Sequence, residues 1–152
     1  MQTVSWEIEI KRPSEEVFAF HADLLNIEKV LPPFLKLQLE ELEYPCGVDT
    51  KARFKIKLFG LVTLLDWRLV FEAWQAPHFF VDREAGGIFR HFAHRHAFSY
   101  SESSPKFTIV RDTIDFDTGI DWLDFLIWRF LIWLSLVAKL KSTKAYLEGI
   151  AR

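Results

Sequence analysis

The chain has 152 residues and a mass of 17.9 kDa, a length that fits one domain and buries enough surface to fold without staples. Half of it is hydrophobic and 16% is aromatic, with fifteen Phe and six Trp, side chains that fill a large core or line a space left partly open. A net charge of −2 and a pI near 6.2 argue against nucleic-acid binding, which leaves a basic footprint, and the lone Cys46 excludes an internal disulfide and a cysteine zinc cluster.

In chain order, Val4, Trp6, Ile8 and Ile10 alternate with Ser5, Glu7 and Glu9, the period of a half-buried strand. The opening MQTVSWEIEIKRP has no signal-peptide core, so a cytoplasmic location is expected. Pro13-Ser14 stops the strand, and Ser14 is read as the cap of a short helix through Phe20. Asp23 is read as the cap of a second one, LLNIEKVL, which Pro32-Pro33 terminates.

From there to residue 117 the pattern predicts about six strands. Turn chemistry separates them at Pro45-Cys46-Gly47, Gly60, Ala76-Pro77, Gly86-Gly87 and between Ser101 and Pro105. Short turns at regular spacing mean successive antiparallel hairpins. Asp117-Thr118-Gly119 then opens a long helix to about Glu148, with Thr118 as its expected cap.

Residues 122–140 of that helix are apolar on every side, like a membrane span, but Asp124 and Arg129 interrupt them. The longest uncharged run, residues 130–138, is short of the roughly 20 that a span requires. A membrane surface is therefore allowed as a partner but not favoured. An antiparallel sheet with one apolar face needs a cover, and only this helix is long and apolar enough. The expected fold is α+β: a curved antiparallel sheet of about seven strands around a long C-terminal helix, with two short helices after the first strand.

This order, together with Phe80-Val81-Asp82, Gly87-Ile88-Phe89, Phe92, His94, His96 and Phe98, resembles the SRPBCC superfamily of helix-grip proteins. That group includes START lipid-transfer domains, the birch-pollen allergen and polyketide cyclase/dehydrases. The specific resemblance is to a bacterial cyclase/dehydrase-like subgroup with the pattern F-V-D-x-x-x-x-G-P-F-x-x-W-x-H-x-H-x-F. Here Ile88 replaces the proline and Phe92 the tryptophan, both keeping bulk. Trp67, the run Trp74-Gln75-Ala76-Pro77 and VRDTIDF also fit. The resemblance implies one ligand-binding domain over residues 1–152. It speaks for fold more than function, because one fold hosts many activities.

The histidine-rich stretch GGIFRHFAHRHAFSY carries the candidate chemistry. Residues two apart on a strand share a face, so Arg90, Phe92, His94, His96 and Phe98 form the inner set, leaving His91 and Arg95 outside. His94 and His96 then point the same way, with Cα atoms about 6.6–6.8 Å apart. A catalytic metal would need a third ligand, and Asp82 is the candidate. A three-residue hairpin loop sets Asp82 beside Arg90, where it would make a salt bridge. A two- or four-residue loop sets it beside His91, and the sequence does not choose. No metal and no cofactor is expected. Nucleophilic catalysis lacks a G-x-S-x-G elbow or a histidine near Cys46, and no phosphate-binding glycine loop is present.

The expected function is binding, or transport, of a hydrophobic or amphipathic small molecule in a cavity between sheet and helix. Its walls are Phe54, Ile56, Trp67, Phe92, Phe98, Leu126 and Phe130, and its polar groups are Asp82, Arg90, His94 and His96. The alternative is a cyclase/dehydratase-type enzyme using the same cavity, with His94 and His96 as acid and base. A second alternative is a membrane-associated interaction protein, resting on the apolar final helix.

Overall fold

Alternating side chains become a single seven-stranded antiparallel sheet of order β1-β7-β6-β5-β4-β3-β2 in the computed structural model, which describes residues 1–87 and 89–149. The strands are β1 (Gln2–Ile10), β2 (Leu35–Leu42), β3 (Lys51–Leu58), β4 (Val62–Gln75), β5 (Phe79–Glu84), β6 (His91–Ser101) and β7 (Ser104–Asp117). The turns expected from β2 onward fall between these strands, the last narrowed to residues 102–103 because Ser101 closes β6 and Ser104 and Pro105 open β7. Ile88, one of the two substituted motif positions, lies outside the described residues.

Helix α1 (Ser14–Ala22), a 3-10 turn (Leu24–Asn26) and α2 (Ile27–Val30) follow β1. Ser14 does not cap α1. It is the helix's first residue, Pro13 holds the cap position without a side-chain bond, and the Ser14 hydroxyl donates instead to Pro77 O at 3.4 Å. Asp23 does cap, accepting from Leu25 N at 3.0 Å. The C-terminal helix runs through α3 (Asp121–Leu123), a π-helical turn (Asp124–Trp128) and α4 (Arg129–Leu147).

Thr118 is not its cap either. The buried Asp124 accepts from Thr118 N at 3.0 Å and Thr118 Oγ1 at 2.5 Å, so an acid one turn inside the helix closes the preceding loop. A π-helical turn of this kind marks a local departure from regular hydrogen bonding, here beginning at Asp124, the residue engaged outside the helix.

The helix packs along β1 and buries Ile132, Leu136, Val137, Leu140 and Thr143, one face at helical spacing. Trp133 meets Trp6 edge to face at 5.9 Å. The expectation that Leu126 and Phe130 lie on the gripped face is wrong, since they are 64% and 59% exposed. A segment that is apolar all round carries no moment from which the inward face can be read, and contacts with β1 set its rotation.

Two apolar clusters line the inner side of the sheet. One joins Ile10, Val17, Phe18, Phe54, Phe71, Phe80, Phe98 and Leu140. The other joins Val4, Phe92, Ile114, Phe116, Ile132 and Leu136. Leu37, Leu39, Ile56 and Trp67, on the wing formed by β2, β3 and β4, are only partly buried.

Candidate functional site

Register decides which polar side chains meet. Asp82 pairs with His94 across β5 and β6, and His96 pairs with Asp112 across β6 and β7. This corrects all three hairpin registers considered from sequence. The loop between Glu84 and His91 is longer than any of them, so Asp82 stands beside neither Arg90 nor His91. It turns instead to the inner face with both histidines.

His96 is the hub. Its Nε2 lies 3.0 Å from Asp82 Oδ2 and its Nδ1 lies 2.9 Å from Asp112 Oδ1. A ring with a carboxylate at each nitrogen is placed as an imidazolium, since only the protonated ring donates twice. The second Asp112 oxygen takes Lys139 Nζ from α4 at 3.0 Å. The His96 ring stacks on Phe80 at 4.3 Å, which fixes its plane. Two carboxylates and two cations balance, as charges at an apolar interior must, with the Lys139 side chain reaching in from a position that is 30% exposed.

Electrostatics follow the same geometry. Burial alone would raise the Asp112 carboxyl, but the charges of His96 and Lys139 hold it well below the usual carboxylate range. Burial likewise acts against ionised Asp82, and the His96 hydrogen bond with the nearby cations outweighs it. For His96 burial lowers the pKa, while the charge of Asp112 and the bonds to both carboxylates raise it above the ordinary value.

Two further histidines are neutral. Burial, with the charges of His96 and Lys139, pushes His94 down to about 4. Its Nε2 is 3.2 Å from Asp112 Oδ2, off the hydrogen-bond direction, and has no hydrogen-bond partner. His21 on α1 is pushed down to about 3 by burial and the charge of Lys139. His21 Nδ1 lies 2.8 Å from Val17 O, which fixes the proton there and leaves Nε2 a buried acceptor without a partner. The side chains of Asp82, His94 and His96 keep 11, 12 and 6% exposure, whereas Asp112 is sealed.

Asp82, His94 and His96 each offer a ligand atom within 4.8 Å of the others, a set that a divalent ion can use. The cations already present stand in the way: His96 Nε2 is engaged with Asp82, and the Lys139 ammonium sits on the Asp112 side.

Of the sequence-derived candidates, Asp82, Phe92, His96 and Phe98 are buried on the inner face with Phe54, and His94, Ile56 and Trp67 are partly buried there. Trp67 meets Phe92 at 4.8 Å. Arg90 is not among them. It is exposed, precedes β6, and lies against Gly119, where a Cβ would stand 2.2 Å from its guanidinium carbon. Phe130 lines a surface groove of about 480 Å³ with Thr3, Ser5 and Phe125.

Sequence reasoning missed His21, Asp112 and Lys139. For Asp112 a signal existed: in VRDTIDF it alternates in phase with Val110, Ile114 and Phe116, an acid in an otherwise apolar row.

Comparison with solved structures shows the fold. A START superfamily protein from Mycobacterium smegmatis superposes with a TM-score of 0.74 at 11% identity, covering 98% of this chain and 99% of that one. Ara h 8.0201 gives 0.71 at 14% identity, covering 97% and 98%. A Thalictrum norcoclaurine synthase point mutant, in complex with a transition-state analogue, gives 0.71 at 9% identity, covering 97% and 94%. The chain has the helix-grip fold that these structures share. No family model and no curated protein matches the sequence.

Proposed function

We propose that the protein binds a hydrophobic or amphipathic small molecule on the concave side of the sheet, with the molecule's polar end at the His94–His96–Asp82 cluster. One observation carries this reading: an internally neutral group of charged side chains inside an aromatic core leaves the Nε2 atoms of His94 and His21 without partners. Buried polar atoms are otherwise almost always paired. The partly buried wing of Leu37, Leu39, Ile56 and Trp67 supplies an apolar wall for the rest of the molecule.

Titration with a fluorescent fatty acid or a flat aromatic ligand, followed by tryptophan emission, tests the proposal. His94→Phe keeps volume and should weaken binding of a polar-headed ligand by about 1–3 kcal/mol, the cost of leaving a polar group unpaired. Saturable binding unchanged in this variant would remove His94 from the site.

A second reading is favoured by the contrast between His94 and His96. Adjacent titratable groups whose pKa values are driven apart are the usual arrangement of a base and an acid. Neutral His94 as base and protonated His96 as acid would serve a cyclase or dehydratase reaction in the same place. Turnover of an aromatic polyketide-like substrate, lost in His94→Phe, separates this reading from simple binding.

A further inference from the structure

Antiparallel pairing sorts the connections to two ends of the sheet. The end where β5 leaves for β6 and β7 leaves for the helix also holds the start of β2 and the β3–β4 tip. Because Leu69 pairs with Glu84, residues 62–68 carry β4 beyond the end of β5, a projection of roughly 20 Å. Most turns at the opposite end carry exposed polar residues (Lys11, Arg12, His78, Glu102 and Ser103), with Tyr44 and Val48 exposed singly in the β2–β3 turn.

The projecting tip is built against ordinary turn chemistry. Leu61 N bonds Leu58 O at 2.9 Å around Phe59 and Gly60, both at positive φ (50° and 73°). That is a type I′ turn, in which Asn, Asp and Gly are usual and a bulky residue is strained. Yet Phe59, Leu61 and Val62 are 70, 84 and 58% exposed, and Phe34, ring to ring with Phe59 at 6.4 Å, is 48% exposed. Solvent gives no reason to keep such residues there, and clustered exposed apolar groups mark a surface that something else covers.

The charge beside them indicates what covers them. Lys36 and Lys57 stand directly opposite each other across β2 and β3, a like-charge pairing that costs stability. Among the described residues, Glu28 at 3.9 Å from Lys36 is the acid that offsets it. No acidic residue occurs in the runs 34–39 or 57–65. Apolar and aromatic side chains at the apex with lysines set back behind them fit a bilayer whose headgroups are anionic. At the same end, the first turn of the helix adds Trp122, 65% exposed, an amphipathic ring suited to the headgroup level. No helix among the described residues is long and apolar enough to cross a membrane.

We propose that this end of the molecule docks on an anionic lipid surface, with the β3–β4 tip entering the headgroup layer. The proposal is independent of the ligand site and stands or falls separately from it.

The test is co-sedimentation of the full chain with phosphatidylcholine vesicles, with and without about 30% phosphatidylserine, an anionic lipid of the kind that attracts basic segments. Binding should require the anionic lipid and weaken as salt rises. In Phe59→Ser/Leu61→Ser it should fall about tenfold or more through lost apolar insertion. These side chains are exposed, so the thermal midpoint should hold. Lys36→Glu/Lys57→Glu should also abolish binding while leaving the apolar tip intact. Absence of sedimentation with either vesicle, or sedimentation indifferent to both variants, would overturn the proposal. So would a vesicle-independent dimer that the tip substitutions disperse, because the tip would then cover a second copy of the chain.

Discussion

His96 donates to Asp82 and Asp112, and Lys139 takes the remaining Asp112 oxygen, leaving His94 and His21 as buried neutral rings. Their folded pKa values, about 4 and about 3, lie below the ordinary 6.5, so between these limits the unfolded chain binds more protons and stability rises with pH. His96 has the opposite sign: its raised pKa adds stability that is present below 6.5 and lost as pH rises through the folded value. The depressed Asp82 and Asp112 contribute stability above 3.8, lost only as pH falls through their folded values. Between pH 6 and 4.5 the two neutral rings therefore dominate. Stability should drop by about 1–3 kcal/mol per pH unit, one to two protons at 1.36 kcal/mol each. Denaturant midpoints measured across this range check the slope, and His21→Leu with His94→Phe should flatten it. A flat profile in the unsubstituted chain would show that these rings are not held neutral.

At this scale the sequence was legible in part. Strand alternation put Phe92, His96 and Phe98 inward, and His91 and Arg95 outward. Asp82 was not placed, because its neighbours depend on the length of a loop. Lys139 was not placed either, because it is one lysine on a helix whose rotation the sequence does not reveal.

Among elements, the strands and turns were readable because each strand alternates and each break carries Gly, Pro or Ser. The helix was readable in existence and length but not in phase. Leu136 and Leu140, 2% and 0% exposed, face the sheet, while Leu126 and Phe130 do not. Leu136→Asp or Leu140→Asp should cost several kcal/mol by burying an unpaired charge. Leu126→Asp and Phe130→Asp should change stability by about 0.5 kcal/mol or less, the usual range for surface positions. Thermal or denaturant melts of the four variants decide it. A large loss in the second pair would mean that the helix packs in a different rotation. Of the three expected caps, Asp23 caps, whereas Ser14 and Thr118 are cap-type residues whose hydroxyls bond Pro77 O and Asp124 instead.

For the whole molecule, an exposed apolar tip and a buried polar cluster both reverse the usual distribution of side chains. The sheet and its helix account for neither, and the two proposals give each an outside partner: a lipid surface for the tip and a small molecule for the cluster. If a molecule binds as proposed, its polar end meets the imidazoles under the helix. Histidine ring nitrogen resonances, followed by NMR while the protein is saturated with a polar-headed apolar ligand, test it most directly. The five histidines divide into His21, His94 and His96 inside and the exposed His78 and His91. Saturable shifts are expected at His94, with smaller ones at His21 or His96, and none at His78 or His91. Saturable binding that leaves His94 unmoved, or no saturable binding at all, would contradict it.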